Sequence, residues 1–482
     1  MNGKLFNKVA VILLSCFLVA GCTGGNSKNY EETKSTLKVL YNTEGNFYQQ
    51  YGDVFSVNNK NIDFEVISTQ GLNNNLEGKK YEEAFDELIQ KENPDILLLS
   101  TGNYEKYVAD GKLVELDPFI DKDKYSLEGI YPGLIDMLKE MGGNKLYGLA
   151  PTFYGNALFY NKELFSKYGV EQPHDGMTWQ DIIDLARRFP VDGDEKSRIY
   201  GFGNDFPISV DHLVNIISNS EGLMNVNPGT MKVTVDTDSW KKVYQLAIDA
   251  DKSGAIYNPK DGGFMGGSIE EYYQSQAFLM GRVAMMIGDP YTLQNLKLAQ
   301  DTMKDYKPID VGIVSGPVNS TDPTTTMGTS MNEIFAINAN SPNKEAAWKF
   351  IKFVNGEDYA RIKSRTMNGN LLTRMSFNKD FEGQSLDVFY ALKPKVNGNN
   401  TSSDKIPSAF NEQFQSIMSR EIALIQENKK SLDEAIRTIQ AEGQVTLDNA
   451  LINQEKNKGN PNSSTETPNK TDQVIIMRED EK

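Results

Sequence analysis

Two α/β lobes are the architecture this sequence predicts, and three observations point there. The chain has 482 residues, more than one small hydrophobic core organises, and two large units divide that length sensibly. Short apolar strands alternate with amphipathic helices from residue 37 onward, the pattern that builds parallel sheets with helices on their faces. Polar and aromatic residues cluster just after several of those strands, where an open α/β sheet gathers its ligand.

The first segment is of another kind. Lys4 and Lys8 supply a positive end, and Val9 to Ala20 is an apolar run interrupted only by Ser15 and Cys16, so residues 1–21 read as a signal peptide. The run is too short to span a bilayer as an anchor helix. Val19-Ala20-Gly21-Cys22 resembles the lipobox of bacterial lipoproteins, which implies acylation of the Cys22 thiol and a membrane tether through that lipid. One acyl chain anchors only marginally, so the several chains such a cysteine carries would make the attachment lasting. The chain has two cysteines, Cys16 and Cys22, so on this reading the processed protein has no disulfide, cysteine nucleophile or thiolate metal site. Residues 22–35, rich in Gly, Asn, Ser and Lys, read as a lipid-anchored flexible leash.

Beyond the leash, Leu37 to Tyr41 is a short apolar strand, and Ile62 to Ile67 places Ile62, Phe64 and Val66 on one face. Tyr81 to Lys91 reads as a helix with Tyr81, Ala84, Phe85 and Leu88 aligned, followed by the buried-type strand Ile96 to Leu99. Leu158 to Tyr160 is a strand. Thr178 to Phe189 is a helix, with Thr178 as N-cap and Pro190 past its end. Val283 to Ile287 is a strand that ends at Gly288-Asp289-Pro290. Ser341 is expected to cap a helix that starts at Pro342 and stops at Asn355-Gly356. A last helix covers Ser431 to Leu447, with Leu432, Ala435, Ile436, Ile439 and Val445 in line, and 456–482 has the composition of a disordered tail. Gly262 to Gly267 has neither the lysine nor the preceding strand of a phosphate loop and reads as a mobile loop at a cleft rim.

Several segments, taken in order, resemble the extracellular solute-binding proteins of the family 1 sugar type, which serve importers of the ATP-binding-cassette (ABC) class. They are Asn93-Pro94-Asp95-Ile96 to Leu99, Gly111-Lys112-Leu113 to Asp117, and Lys145-Leu146-Tyr147-Gly148 to Pro151 with Leu158 to Phe165. Thr178-Trp179, Met280 to Tyr291, and Ile334 to Ile337 with Ala346 to Trp348 complete the set. Where many sugar binders carry a tryptophan or a glycine pair before the Ala-Ile strand, this chain has Gly328-Thr329-Ser330-Met331-Asn332. The resemblance covers residues 36–455. It implies a two-lobe periplasmic-binding-protein-like fold with a hinge and an interlobe ligand cleft. The expected lobes are 36–152 with 331–378, and 153–330 with 379–455.

The same resemblance implies a small solute, expected to be a mono- or oligosaccharide, that is captured by hinge closure and handed to ABC permease subunits by a monomer. A sugar asks for aromatic rings against its C–H faces and Asp, Glu, Asn or Ser around its hydroxyl rim. The candidate ligand-binding residues are Glu44, Tyr48, Ser100, Thr101, Tyr154, Asp205, Asp289 and Tyr291. Core packing competes as the role of Tyr154 and Tyr291, and a turn or helix cap as the role of Asp205 and Asp289. Tyr41 and Trp348 are assigned to the core.

Other classes find little material. A net charge of −16 repels nucleic acid over most of the surface. There is no Gly-x-Ser-x-Gly, and only His174 and His212 exist, without a His-Glu-x-x-His pair. The Ser-x-x-Lys at Ser341 to Lys344 lacks its partner motifs, and Asp121-Lys122-Asp123 puts Ser126 where a calcium loop needs glycine. No cofactor, metal or catalytic residue is expected. An exported glycoside hydrolase using two carboxylates, or a ligand-sensing surface lipoprotein, are the alternatives.

Overall fold

The computed structural model describes residues 34–72, 81–194, 197–259, 266–365, 369–396 and 405–458. The signal peptide, the lipidation site Cys22, most of the leash, residues 260–265 of the glycine-rich stretch, and 459–482 lie outside the described residues. The chain first lays down β1 (Ser35–Tyr41), β2 (Ile62–Ser68), β3 (Ile96–Leu99) and β4 (Gly148–Leu149), then crosses on β5 (Thr152–Gly155). It continues with β6 (Ala157–Asn161), β7 (Tyr200–Phe202), the hairpin β8 (Val226–Asn227) and β9 (Lys232–Val233), β10 (Val283–Gly288) and β11 (Val311–Ser315). The return runs through β12 (Thr325–Thr326) and β13 (Thr329–Ser330) to β14 (Ile334–Ile337), and β15 (Leu371–Leu372) follows.

Two main sheets result, ordered β2-β1-β3-β14-β4 and β11-β6-β10-β7. In the first, β1 is parallel to β2 and β3, while β14 enters antiparallel between β3 and β4. In the second, β6 runs antiparallel to both β10 and β11. Between them lies a three-stranded ribbon, β13-β5-β15, made of the segments that cross from one sheet to the other. Among the described residues no helix is long and apolar enough to cross a membrane.

The strand interiors are apolar because both faces are covered. Leu37, Val39 and Leu40 of β1 and every residue of β6 are buried, as expected of α/β sheets flanked by helices. Phe350 is wholly buried, its ring centroid 5.4 Å from those of Phe55, Phe64 and Phe335 and 5.8 Å from that of Phe47. A second core gathers Trp240, Tyr244, Met285, Met418 and Ile439.

The expected elements form, with differences at their ends. Thr178 caps helix Trp179–Ala186 in a capping box with Asp181, but the helix stops three residues before Phe189, as the α-unfriendly position ahead of Pro190 favours. The helix expected from Pro342 begins at Lys344 and has no side-chain cap. The Ser341 oxygen accepts from the Asn343 N–H at 3.0 Å, just ahead of the helix, while its hydroxyl donates to Asp95 Oδ1 at 2.6 Å. The last helix spans Leu432–Lys458 and takes in residues 456–458. On it Val445 is 60% exposed while Leu447 is buried. Nine residues at 100° each put Val445 about 180° from Ile436, so it cannot share that buried stripe. Residues 379–390, assigned to the second lobe on sequence, pack Tyr390 against Tyr131 and Phe153 of the first core at 5.3 and 5.2 Å.

Phe350→Ala is expected to cost about 3–5 kcal/mol of stability through the cavity it leaves in this aromatic cluster. Urea unfolding followed by circular dichroism measures it, with a loss below about 1 kcal/mol contradicting the packing described.

Candidate functional site

The carboxyl ends of β1 and β3 and the start of β14 meet beside β5. Tyr41 closes β1, and its hydroxyl donates to Glu333 Oε1 at 2.9 Å. Tyr51, fully buried and stacked on Tyr359 at 5.5 Å, donates to the other carboxylate oxygen. Burial, together with the Glu333 charge, drives the Tyr41 hydroxyl far above the usual phenol range. Lys363 donates to Gln50 Oε1 at 2.9 Å, and burial lowers its amine despite the opposing pull of Glu333. Two adjoining cavities of about 350 and 250 Å3 share Tyr41, Asn46, Thr152, Glu333 and Asn370 as wall residues.

Tyr154 stands in the smaller cavity. On β5 the neighbouring side chains alternate: Phe153 is buried at the back, while Tyr154 is 37% exposed on the cavity side. Core packing is therefore not the role of Tyr154.

The second sheet brings three more candidates together. Asp205 follows β7 and Asp289 follows β10, and these strands are adjacent and parallel. Asp289 caps helix Pro290–Thr302, accepting from the Tyr291 N–H at 2.7 Å, so its cap role holds, while burial raises its carboxyl. Asp205 caps nothing. Its Oδ1 is buried without a hydrogen-bond partner, and burial, then repulsion from Asp289, push its carboxyl up to about 6. Tyr291 is 49% exposed, with its ring against Gly369, where an added Cβ would lie 2.2 Å from Cδ2.

Besides Asp205, Asp289 and Tyr291, four further candidates are not in the cavity walls. Glu44 is an exposed first-turn residue of helix Glu44–Phe47, and Tyr48 packs on Phe47 and Phe64 at 5.6 and 6.4 Å. Ser100 caps helix Thr101–Ala109, and the Thr101 hydroxyl donates to the Met331 carbonyl at 3.0 Å. Within the segment after β1, other residues than the two candidates face the cavity. Asn46 and Gln50 line the cavity, and at 100° per residue Glu44 and Tyr48 project about 160° away from Asn46. Tyr41 is in the core as expected, and Glu333 was not among the candidates, because nothing local to it signals a partner some 290 residues away in the chain. A further cavity of about 340 Å3, lined by Asn156, Trp179, Asn204 and Met327 among others, opens at the carboxyl end of the second sheet.

A strand order that inserts a late β14 into the first sheet, with ligand-sized cavities at the crossing, fits a protein that closes around a solute. The sequence profile of bacterial extracellular solute-binding proteins matches residues 41–361. The chain belongs to that family. Family members are binding proteins with an extracytoplasmic place of work. A Brucella abortus protein named as a binding protein is 23% identical over 380 residues, 77% of this chain and 83% of the relative. The Xanthomonas citri sugar-binding protein MalE superposes with a TM-score of 0.60 at 14% identity, covering 88% of this chain and all of the other. A Rhizobium etli sugar transporter in an open conformation gives 0.58 at 20% identity, covering 85% of this chain and 99% of the other. A Listeria monocytogenes ABC substrate-binding protein in complex with cycloalternan gives 0.54 at 17%, covering 86% and 99%. These likenesses show the two-lobe periplasmic-binding-protein-like fold with its hinge and interlobe cleft.

Asp205 makes stability depend on pH with a defined sign. Its folded carboxyl titrates near 6 against an ordinary value of 3.8, so the folded state holds the proton more tightly. Stability falls as pH rises from about 4 to about 6, by at most about 3 kcal/mol. Asp205→Asn is expected to flatten that slope and to be the more stable form above pH 6. Denaturant melts of both forms at pH 4, 5, 6 and 7 check it, and parallel profiles would contradict the burial of Asp205.

Proposed function

We propose that this family member is the solute-capturing lipoprotein of an ABC importer. It takes a mono- or oligosaccharide between its lobes by hinge closure and delivers it to the permease subunits. In this reading residues 36–152 with 331–378 form one lobe and 153–330 with 391–455 the other, while 379–390 lies at the junction, with Tyr390 on Tyr131 and Phe389 on Phe159. The chain works as a monomer held to the extracytoplasmic face of the membrane by lipid on Cys22.

One observation carries the reading. Tyrosines with Asn, Glu and Thr wall the two cavities beside Tyr41, and Trp179 with Asn, Ser and Thr walls the one at the second sheet, the mixture of ring faces and hydrogen-bonding groups that a sugar requires. The sugar transporter and sugar-binding protein among the structural relatives support the same class of ligand. Binding then needs no covalent chemistry. Moving an open to closed ratio from 99:1 to 1:99 takes about 5.5 kcal/mol of differential affinity. A micromolar ligand, worth about 8 kcal/mol in all, can supply it.

Thermal unfolding of the purified protein against mono-, di- and trisaccharides, amino acids and oligopeptides tests the ligand class. A ligand at 100 times its dissociation constant adds about 2.7 kcal/mol, a saturable shift of a few degrees or less in a chain this long. Tyr154→Ala is expected to lower or abolish that shift. A response confined to peptides or amino acids would remove the saccharide reading, and release of shorter sugars during incubation would remove the transport reading.

The anchor is tested separately. Cys22→Ser is expected to move the protein from the membrane fraction to the soluble extracytoplasmic fraction. Its retention in membranes would show that something other than lipid on this thiol holds it there.

A further inference from the structure

The last helix, Leu432–Lys458, has two apolar faces. On its inner face Ala435, Ile436, Ile439, Leu447 and Ala450 are buried in the second core. On its outer face Val445 and Ile452, seven residues apart, are 60% and 48% exposed. At 100° per residue Thr438, Ala441, Val445 and Ile452 fall within about 60° of one another, so they form a single outward stripe. Toward the start of the helix the stripe enters an open groove of about 670 Å3, walled by Lys429, Lys430, Glu434, Arg437, Thr438 and Ala441 together with Glu442. Glu434 accepts from the Ser431 hydroxyl at 2.6 Å, Glu442 from Arg420 at 2.8 Å, and Lys430 is committed to the buried Glu421 at 2.5 Å. The attraction for an anion therefore falls to the exposed Arg437 and to Lys429, whose surface pair with Glu427 is weak.

The chain itself carries a segment of matching chemistry. Beyond Lys458 the sequence has one apolar run, Val474-Ile475-Ile476-Met477, and after Arg478 an acidic run, Glu479-Asp480-Glu481. Residues 459–473 are polar or small, with Gly459 and Pro461 just past the helix, a pairing that ends a helix and lets the chain reverse. That stretch reaches up to about 50 Å, while Lys458 back to Ile452 is only about 9 Å of helix. The spacings then agree step by step. Val474 to Met477 spans about 10 Å when extended, as does Ile452 to Val445 along the helix. Met477 to Glu481 spans about 13 Å, and Val445 to Arg437 about 12 Å. In that register Arg478 falls beside Glu442.

We propose that residues 474–481 of this chain fold back antiparallel on the outer face of helix Leu432–Lys458. The apolar run covers Val445 and Ile452, and the acidic run enters the Arg437 groove. Docking removes apolar side chains of both partners from water and sets carboxylates against Arg437. A weak contact suffices, because a tethered segment meets its own site at an effective concentration on the order of millimolar. The inference does not depend on which solute the protein binds.

Pulsed electron resonance tests it on nitroxide labels at Asp433→Cys and Lys482→Cys, in the chain from 22 to 482 with Cys22→Ser so that no other thiol is present. When the segment docks, Lys482 lies beside the start of the helix, and a narrow separation of about 15–30 Å is expected in most molecules. Free chain hanging from Lys458 would give a broad distribution centred at about 45 Å. Val445→Asp with Ile452→Asp, both at exposed positions, is expected to reduce the short component at least about fivefold by placing charge under the apolar run. Arg437→Glu is expected to reduce it about twofold to fivefold. Unchanged far-ultraviolet circular dichroism certifies that each variant is folded.

A broad distribution in the doubly labelled parent would overturn the proposal. So would a short component that survives Val445→Asp with Ile452→Asp, since the segment would then lie elsewhere. A short component unaffected by Arg437→Glu would remove the acidic run from the groove and overturn the register. One that fades on mixing with an excess of unlabelled protein would show the segment of a second copy in the groove, and docking within one chain would fall.

Discussion

The structure depends on the return of the chain to its first sheet. β14 is laid antiparallel between β3 and β4 only after the whole second sheet has been built, so neither sheet is made from one continuous stretch. Asp95 secures the return. Its buried carboxylate accepts from the Lys38 N–H at 2.9 Å, from the Ser341 hydroxyl and from the Asn343 amide, and its carbonyl accepts from the Asn338 N–H. A carboxylate so supplied with donors orients every segment it touches. Three crossings follow from that topology. They pair into the ribbon β13-β5-β15, a narrow connection between two larger bodies and the natural place for a hinge.

The ribbon also decides where a ligand can lie. Its back is covered by Phe153, Tyr131 and Tyr390, and its front presents Tyr154 and Asn156 to cavities at the carboxyl ends of both sheets. The two sides treat acidic groups differently. Glu333 has both oxygens occupied by tyrosine hydroxyls and acts as part of a rigid wall. Asp205 has no such donors and carries the consequence as a raised carboxyl. A fold that satisfies its core carboxylate at Asp95 but leaves polar atoms open at the cleft shows where local consistency yields to function.

Much of this was legible in the sequence, for reasons that are local. Apolar β3 was bounded correctly from Ile96 to Leu99, because four consecutive large apolar residues after Pro94 have no other comfortable conformation. Thr178 with Asp181 three residues on fixes a helix start whatever surrounds it. Of the candidates that follow strands, Tyr154 lines a cavity, while Asp205, Asp289 and Tyr291 gather after β7 and β10 because strand ends in α/β sheets converge on one edge. The misses were of another kind. Ser341 accepts from the Asn343 N–H ahead of the helix and ties to Asp95, but the helix itself starts later, at Lys344, and Val445 is apolar but falls on the outer side of its helix.

The order of amino acids thus carries the run of strands and helices, the expectation of two α/β lobes, and the sense that ligand groups follow the strands. These are set by periodicity and capping, which act over a few residues. Only the tertiary structure decided that Glu333 would be gripped by Tyr41 and Tyr51, and that Asn46 and Gln50 rather than Glu44 and Tyr48 would face the cavity. It alone left Trp179 Nε1 and Asn204 Oδ1 buried without hydrogen-bond partners among the described residues. Those outcomes hang on contacts between residues far apart in the chain and on the rotation of a single helical turn, and neither is encoded in any short stretch that could be read alone.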